Sequence, residues 1–253
     1  MVAVAATPQL LTIDCGNSTI RCRRNDGVVW STLSNSPDFA SLPEFVGPEA
    51  ARALAVSVVP AALAATRAAL AALDITVAVA GEDLPCPMPL AYDTIATLGP
   101  DRWLGAFAAR TQFGRGQHAV ITIDCGTATT VNVVGREGAF QGGAIAPGLA
   151  AFVAGLASRA PALPAADLDA APTLPAKSTQ ACVDAGVLLG WAGLVERLVV
   201  GAQAGFGGEA KMVLTGGNAA RLMRLSDLVA DAAHVPELIH DGLVALAGVA
   251  PAS

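Results

Sequence analysis

Short apolar runs alternate with longer segments whose apolar residues recur at helical spacing, and this order occurs twice along the chain. Apolar or alternating runs of about four to eight residues are typical of strands, and apolar positions three and four apart are typical of helices. In the first half these patterns predict strands at 9–15, 19–24, 28–33, 54–59 and 75–80, and helices at 61–73 and 101–113. Pro60 suits the first turn of the first of these helices.

The second half restarts the same pattern after a glycine-rich stretch. Its predicted strands are at 118–124, 128–134, 139–141 and 211–214. Its predicted helices are at 149–158, 179–204 and 236–247, and a further helix follows residues 215–218 and ends at about residue 225. The alanine- and proline-rich stretch 159–175 is predicted to be a surface connection.

The repetition extends to the residues themselves. Thr-Ile-Asp-Cys-Gly occurs at Thr12–Gly16 and again at Thr122–Gly126, each time after an apolar run and before small hydroxyl or amide residues. A glycine there lets backbone N–H groups approach an anion, the hydroxyls donate to it, and the carboxylate offers oxygen to a cation. Two copies one domain length apart suggest a duplication, with one nucleotide held between the halves.

Three strands, a helix, a strand and a helix, given twice, resemble the ribonuclease H-like fold that actin, hexokinase and Hsp70 share. We therefore expect an α/β protein of two duplicated ribonuclease H-like domains, residues 1–116 and 117–253, in an actin-like ATPase arrangement with a nucleotide cleft between them. A Rossmann fold is less favoured, because the chain has no G-x-G-x-x-G and each glycine turn enters a second strand.

Composition narrows the function classes. The hydrophobic fraction of 53% supports a large core, while the net charge of −6 and the lack of a basic cluster argue against nucleic-acid binding. No basic region precedes the first apolar stretch, so no signal peptide is expected. The longest uncharged segment, Gly138–Ser158, contains proline and several glycines and predicts no membrane span. A cytoplasmic protein fits best.

The cysteines and histidines do not form a recognisable metal site. The five cysteines are odd in number and include no C-x-x-C pair, and the three histidines are not spaced to join them. We interpret the cysteines as small buried side chains.

Four motifs converge in one order along the chain: Asp14-Cys15-Gly16-Asn17-Ser18, Gly99-Pro100-Asp101-Arg102, Asp124-Cys125-Gly126-Thr127-Ala128 and Gly142-Gly143-Ala144-Ile145-Ala146-Pro147-Gly148. They resemble the D-x-G-N-[ST], G-x-D-R, D-x-G-T-A and G-G-x-I-x-P-G boxes of type III pantothenate kinases. Thr215-Gly216-Gly217 is similar to the adenosine-side turn of the wider actin-like group. The resemblance spans roughly residues 9–245.

The resemblance implies an ATP site in the first turn. It assigns ATP contacts to Asp14, Cys15, Gly16, Asn17, Ser18, Thr19, Ile20 and Arg21, and to Thr127 in the second copy. From the residues alone, the first turn is a hairpin whose donors hold phosphates, or else an ordinary Asn-containing turn; the second copy favours the phosphate role.

Asp124 is a candidate cation ligand, because a carboxylate beside phosphates holds a cation directly or through water. Similarity to the family implies a monovalent ion, K⁺ or NH₄⁺, at Asp124, with Mg²⁺ accompanying ATP and Asp14 sharing the magnesium through water. The sequence does not separate the two ions.

Asp101 is the candidate catalytic residue. A kinase acting on a primary alcohol needs a carboxylate to accept the hydroxyl proton, whereas an acid in the first turn of a helix is also common for purely structural reasons. The resemblance gives the catalytic role to Asp101 and makes Gly99, Pro100 and Arg102 substrate-lining.

Two further substrate contacts follow from the resemblance. Tyr92, the only tyrosine, lies nine residues before Asp101 and suits the gem-dimethyl group and amide of pantothenate, with packing as the alternative. Thr179 begins a long helix, where Ser178 or Thr179 is expected to cap, and the family's matching threonine contacts pantothenate from the partner subunit. A homodimer with its substrate site near the subunit interface is therefore implied.

The remaining features refine the match. Gly142–Gly148 is expected to be a rigid loop that forms part of the site, and Asn218 stands where the family frequently has Asp.

The sequence thus predicts ATP-dependent phosphorylation of pantothenate to 4′-phosphopantothenate, the first step toward coenzyme A. The alternatives are another actin-like phosphotransferase or phosphohydrolase, or a non-catalytic regulator of the same fold.

Overall fold

The computed structural model describes residues 9–48, 50–114, 118–205 and 209–249, which contain two five-stranded sheets with packed helices. The contacts divide these residues into two units. The first unit comprises 9–87, 96–108 and 239–249, and the second comprises 88–95 and the described residues of 109–238. The predicted domain boundary between 116 and 117 lies outside the described residues and stays a prediction.

The first unit is built on one mixed sheet. Its strands are β1 (Gln9–Cys15), β2 (Thr19–Arg23), β3 (Val29–Leu33), β4 (Ala50–Ser57) and β5 (Thr76–Val79), in the spatial order β3-β2-β1-β4-β5. Its helices are α1 (Leu42–Val46), α2 (Pro60–Ala71), the first part of α3 (Pro100–Phe113) and nearly all of α7 (Leu238–Val249). β1 pairs antiparallel with β2 and parallel with β4, as a hairpin followed by a crossover requires.

The C-terminal helix α7 is attached to the first unit by polar contacts as well as by packing. The Thr12 hydroxyl lies 2.9 Å from His240 Nδ1, and Arg23 donates to Asp241 at 2.8 Å. Gly242 lies so close to Leu104 that an added Cβ would come within 2.9 Å of it. The last helix therefore completes a unit that begins at β1.

The second unit repeats this plan. Its strands are β6 (Ala119–Cys125), β7 (Ala128–Val134), β8 (Phe140–Pro147), β9 (Ala210–Thr215) and β10 (Ala233–His234), in the order β10-β9-β6-β7-β8. Its helices are α4 (Leu149–Arg159), α5 (Thr179–Ala204) and α6 (Ala219–Leu225). The central hairpin, the parallel neighbour and the outer strands correspond to those of the first unit, which confirms the predicted duplicated actin-like α/β fold.

Helix α5 supplies much of the core of the second unit. Trp191 is fully buried against the sheet, and its indole N–H donates to the buried Thr129 hydroxyl at 3.1 Å. Among the described residues, α5 is the one helix that is long and apolar enough to cross a membrane, judged by length and composition alone. Of its most apolar stretch, 39% is buried inside the protein. Because the core helix of a soluble protein passes the same test, this feature is weak support for a membrane span.

Strand β8 is a correction to the sequence analysis, which expected a rigid loop over Gly142–Gly148. The strand runs through Pro147 and pairs with β7, because Gly143 lies against that strand: an added Cβ would stand 1.8 Å from the Val131 carbonyl oxygen. Glycines weaken a strand by propensity, so the sequence did not indicate one here. The two-residue strand β10 was also missed, since so short a segment shows no periodicity.

Candidate functional site

The first turn of the repeat joins β1 to β2 in the first unit. Gly16 N–H donates to the Thr19 carbonyl at 3.0 Å, and Asp14 stands opposite Arg21 in the antiparallel register. The side chains of Asn17 and Ser18 are exposed at the tip. The turn thus places amide and hydroxyl groups, the kinds of donor that bind an anion, directly after β1.

Ser34 holds this turn in place, which the sequence analysis did not detect. Its hydroxyl donates to the Gly16 carbonyl at 2.6 Å, and its backbone N–H donates to the Ser18 carbonyl at 3.0 Å. Ser34 is 7% exposed and directly follows β3. A serine at the end of the third strand, with no local motif, gave no signal that it reaches back to the turn.

Two residues expected to contact ATP have buried side chains. Cys15 and Ile20 are fully buried in the core of the first unit, so they offer a ligand only backbone atoms. Burial raises the pKa of the Cys15 thiol to about 11, and burial likewise raises the pKa of the Cys125 thiol to about 12. All five cysteines are free thiols, and three of them are buried as small core side chains.

Asp101 occupies the first turn of α3. Its Oδ1 accepts from the Arg102 backbone N–H at 2.9 Å, and an added Cβ on Gly99 would lie 2.5 Å from that same oxygen. Gly99 therefore leaves the space that this carboxylate uses. Burial raises the pKa of Asp101, opposed by the Arg102 N–H and the Arg102 charge. Arg102 itself is buried, at 8% exposure.

Asp124 is the last but one residue of β6 in the second unit, and two glycine turns pack against it. An added Cβ on Gly216 would lie 2.4 Å from Asp124 Oδ1, and one on Gly126 would lie 3.4 Å from it. Gly216 also has a φ of +85°, a conformation that favours glycine. The Asn218 backbone N–H donates to the Cys125 carbonyl at 3.1 Å, so the Thr215–Asn218 turn is bonded directly to the Asp124 turn.

Gly148 brings the third glycine motif to the same place. An added Cβ there would lie 2.4 Å from the carbonyl oxygens of Gly126 and Thr127. The side chain of Thr127 is exposed. The boxes at 124–128, 142–148 and 215–218, which lie far apart in sequence, thus come together around one backbone turn.

Tyr92 belongs to the second unit and lies beside β8. Its ring is 6.0 Å from that of Phe140 in an edge-to-face arrangement, and an added Cβ on Gly142 would lie 3.4 Å from it. The Ala91 N–H donates to the Phe140 carbonyl at 2.8 Å, which fixes the segment along the strand. Gly142 therefore provides the flat surface on which the tyrosine rests.

Thr179 is exposed as the first residue of α5. Ser178 is the N-cap and its hydroxyl accepts from the Ala181 N–H at 3.2 Å, which confirms the expected cap. The following turn binds the connection before it: Gln180 donates to the Ala165 carbonyl at 2.9 Å, and the Asp167 N–H donates to the buried Asp184 carboxylate at 2.8 Å. The predicted surface connection is thus fastened to α5.

The acidic residues do not form a preassembled multidentate metal site. Within the part of the chain that the structure describes, no group of three or more His, Cys, Asp or Glu could hold a metal ion.

The two sheets of matching topology define a class first: a duplicated α/β protein of the actin-like fold. A sequence profile described as type III pantothenate kinase matches residues 10–200. This chain belongs to the type III pantothenate kinase family.

Individual relatives agree with that assignment. The chain is 37% identical to a type III pantothenate kinase of Moorella thermoacetica over 55% of this chain and 54% of the relative. It is 36% identical to one of Nitrosococcus oceani over 62% of this chain and 59% of the relative. The chain thus matches little more than half the length of these relatives.

Solved structures support the fold. A Campylobacter jejuni protein named for the Baf family of transcriptional activators has a TM-score of 0.59 at 20% identity, covering 94% of this chain and 97% of that one. Component A of the Acidaminococcus fermentans (R)-2-hydroxyglutaryl-CoA dehydratase has a TM-score of 0.53 at 15% identity, covering 95% and 96%. Likeness at such identity shows the fold alone.

Proposed function

We propose that this protein transfers the γ-phosphoryl group of ATP to pantothenate, giving 4′-phosphopantothenate, and acts in the cytoplasm at the first step toward coenzyme A. The observation that carries the proposal is Asp101, a carboxylate of raised pKa in the Gly-Pro-Asp-Arg turn of a chain from this family. A raised pKa makes a carboxylate a stronger base.

In the proposed reaction, Asp101 accepts the proton of the substrate's primary hydroxyl as that oxygen attacks the γ-phosphorus. A new P–O bond forms, the bond to the β–γ bridging oxygen breaks, and ADP leaves with that electron pair. The Arg102 N–H on Oδ1, at 2.9 Å, orients the carboxylate for this step. The group is already fixed by the helix, so little reorganisation is needed.

The two glycine turns are assigned to the nucleotide. Asp14, Asn17, Ser18 and Arg21 offer a carboxylate, donors and a positive charge, and Cys15, Gly16, Thr19 and Ile20 contribute through the backbone. Thr127, exposed on the second turn, adds a hydroxyl. A K⁺ or NH₄⁺ ion at Asp124 and Mg²⁺ bound with ATP would neutralise phosphate charge when present.

Pantothenate is assigned to Tyr92, Thr179 and the turn from Gly99 to Arg102. The Tyr92 ring is fixed by Phe140 and Gly142, which prepares an apolar face for the gem-dimethyl group. Thr179 is exposed at the start of α5, which fits a contact made across the subunit interface of a homodimer.

The test is a direct assay with the purified protein, ATP, Mg²⁺ and K⁺. We expect pantothenate-dependent ADP release and one equivalent of 4′-phosphopantothenate by mass spectrometry. The same mixture with glucose in place of pantothenate is the matched substrate control. ADP formed without phosphopantothenate, or phosphorylation of the sugar instead, would exclude the proposed reaction.

The dimer has a separate test. Light scattering should give twice the chain mass. Mixing two inactive variants, Asp101→Asn and Thr179→Ala, should restore activity if the two residues of one site come from different subunits. A fully active monomer would contradict this arrangement.

A further inference from the structure

Arg221 on α6 joins the connection before α5 to the residue that precedes its own helix. Its Nε donates to the Leu168 carbonyl at 3.0 Å, its Nη2 to Asp169 at 3.0 Å and its Nη1 to Asn218 Oδ1 at 2.8 Å. The planar guanidinium is suited to such a fork, since its donors point in fixed directions. The side chain is 21% exposed, so these bonds are partly shielded from water.

Asn218 is placed unusually for its position. It is the N-cap of α6, where an asparagine side chain ordinarily accepts from an N–H of the first turn, yet it makes no capping bond. Its Oδ1 accepts from Arg221 instead, and its Nδ2 lies 3.5 Å from the Cys125 carbonyl that its backbone N–H also contacts. The Asn218 side chain therefore links Arg221 to the Cys125 carbonyl and does not cap its own helix.

Along the chain, Cys125 lies between Asp124, proposed for the cation, and Thr127, proposed for the nucleotide. Gly216, two residues before Asn218, packs directly on Asp124. Any shift of Asn218 must therefore move the turn against which the Asp124 carboxylate rests.

We propose that Arg221 is a positioning residue for nucleotide and cation: through Asn218 it fixes the 215–218 turn and the 124–127 turn relative to each other. This inference rests on the proposed function, because it assigns those turns to ATP. The role requires no contact between Arg221 and either substrate, because it is exerted through the bond to Asn218.

The chain offers a matched control on the same helix. Arg224 lies one turn further, is exposed, and its bond in the structure is to the Ala220 carbonyl of its own helix at 3.4 Å. Asp169→Ala is a second control, since it removes one partner of Arg221 and leaves the bond to Asn218. Asp169 is 87% exposed, so its loss alters little else.

The experiment measures binding of a non-hydrolysable ATP analogue by calorimetry, with KM values for ATP and pantothenate alongside. Arg221→Ala should weaken analogue binding and raise the KM for ATP about tenfold, the factor that about 1.4 kcal/mol represents. The KM for pantothenate should stay within about twofold. Arg224→Ala and Asp169→Ala should keep analogue binding within about twofold. Arg221→Lys, which keeps the charge without the fork, should resemble Arg221→Ala and serves if the alanine variant does not fold.

A second readout needs no activity. Hydrogen exchange of the unliganded protein should show faster exchange at the Asn218 amide in Arg221→Lys than in Arg224→Ala. Unchanged exchange and ATP affinity in both Arg221 variants would overturn the inference while leaving the proposed function standing. An equal loss in Asp169→Ala would overturn it too, because the loop and not Asn218 would then be responsible. If the wild-type protein binds no ATP analogue, the proposed function itself fails.

Discussion

Acidification is expected to destabilise the first unit through His240. Burial, and then the charges of Arg23 and Arg21, lower the pKa of this imidazole to about 3 from its ordinary 6.5. The neutral ring is held beside the Thr12 hydroxyl, and the unfolded chain accepts a proton more readily than the folded one. The stability that the neutral ring provides is therefore complete above pH 6.5 and is lost progressively as the pH falls toward 3.

The size of the effect follows from the same two pKa values. At pH 5 the ring in the folded protein is still neutral, so the loss of unfolding free energy is set by the difference between pH 5 and the unfolded pKa of 6.5. That distance is about 1.5 pH units at about 1.4 kcal/mol each, or about 2 kcal/mol. This is a large fraction of the stability of an ordinary domain.

The assay is urea unfolding at pH 7.5 and pH 5, followed by tryptophan fluorescence, in which Trp30 and Trp103 report on the first unit. His240→Asn keeps a polar group near Thr12 and does not titrate. Its loss of stability between the two pH values should be about 2 kcal/mol smaller than that of the wild type. The exposed His234→Asn serves as control and should keep the wild-type dependence. Equal losses in His240→Asn and the wild type would refute this reasoning.

Four further predictions concern the proposed site and the sheet of the second unit. Asp101→Asn should lower kcat by about 10²–10⁴-fold with an unchanged or higher melting temperature, since it removes a buried charge; full activity would exclude the base. In the wild type, the acid limb of kcat/KM against pH should lie above the ordinary range of an aspartate, because the pKa of Asp101 in the unliganded protein is raised. Replacing K⁺ by Na⁺ at constant ionic strength should depress activity, and equal rates in both salts would remove the selective ion from Asp124. Gly143→Ala should destabilise the protein by about 3 kcal/mol in urea unfolding, because the added Cβ would meet the Val131 carbonyl oxygen. The control Gly193→Ala, on α5, adds its Cβ to open space and should stabilise the protein by about 0.5–1 kcal/mol.

The order of elements was predictable because it is written in local patterns. The repeated Thr-Ile-Asp-Cys-Gly lies at the end of β1 and of β6, the central strands of the two sheets, as a buried strand followed by a glycine turn indicates. Pro60 and Ser178 marked helix starts through the chemistry of the first turn. Such signals need only neighbouring residues.

The residues that support the site were not predictable in this way. Ser34 and Arg221 bond to residues 18 and 53 positions away, and Gly148 packs on the distant turn at Gly126 and Thr127. Their partners therefore appear only once the chain is folded. The strand predicted at 139–141 was too short, because the glycines over which β8 continues are required by the closeness of β7 and do not favour a strand by propensity. Close backbone contact is a tertiary constraint, and a single sequence shows the glycine but not its neighbour.

The attachment of α7 to β1 gives the chain a particular order of assembly during synthesis. The ribosome delivers β1 first, but the helix that carries His240 and Asp241 emerges after everything else that the first unit contains. All residues of the second unit lie before residue 239, so they have all been synthesised before α7 is complete. The unit whose synthesis begins first is therefore the last to have all of its residues. Thr12 and Arg23 can make their contacts with His240 and Asp241 only after α7 has been made.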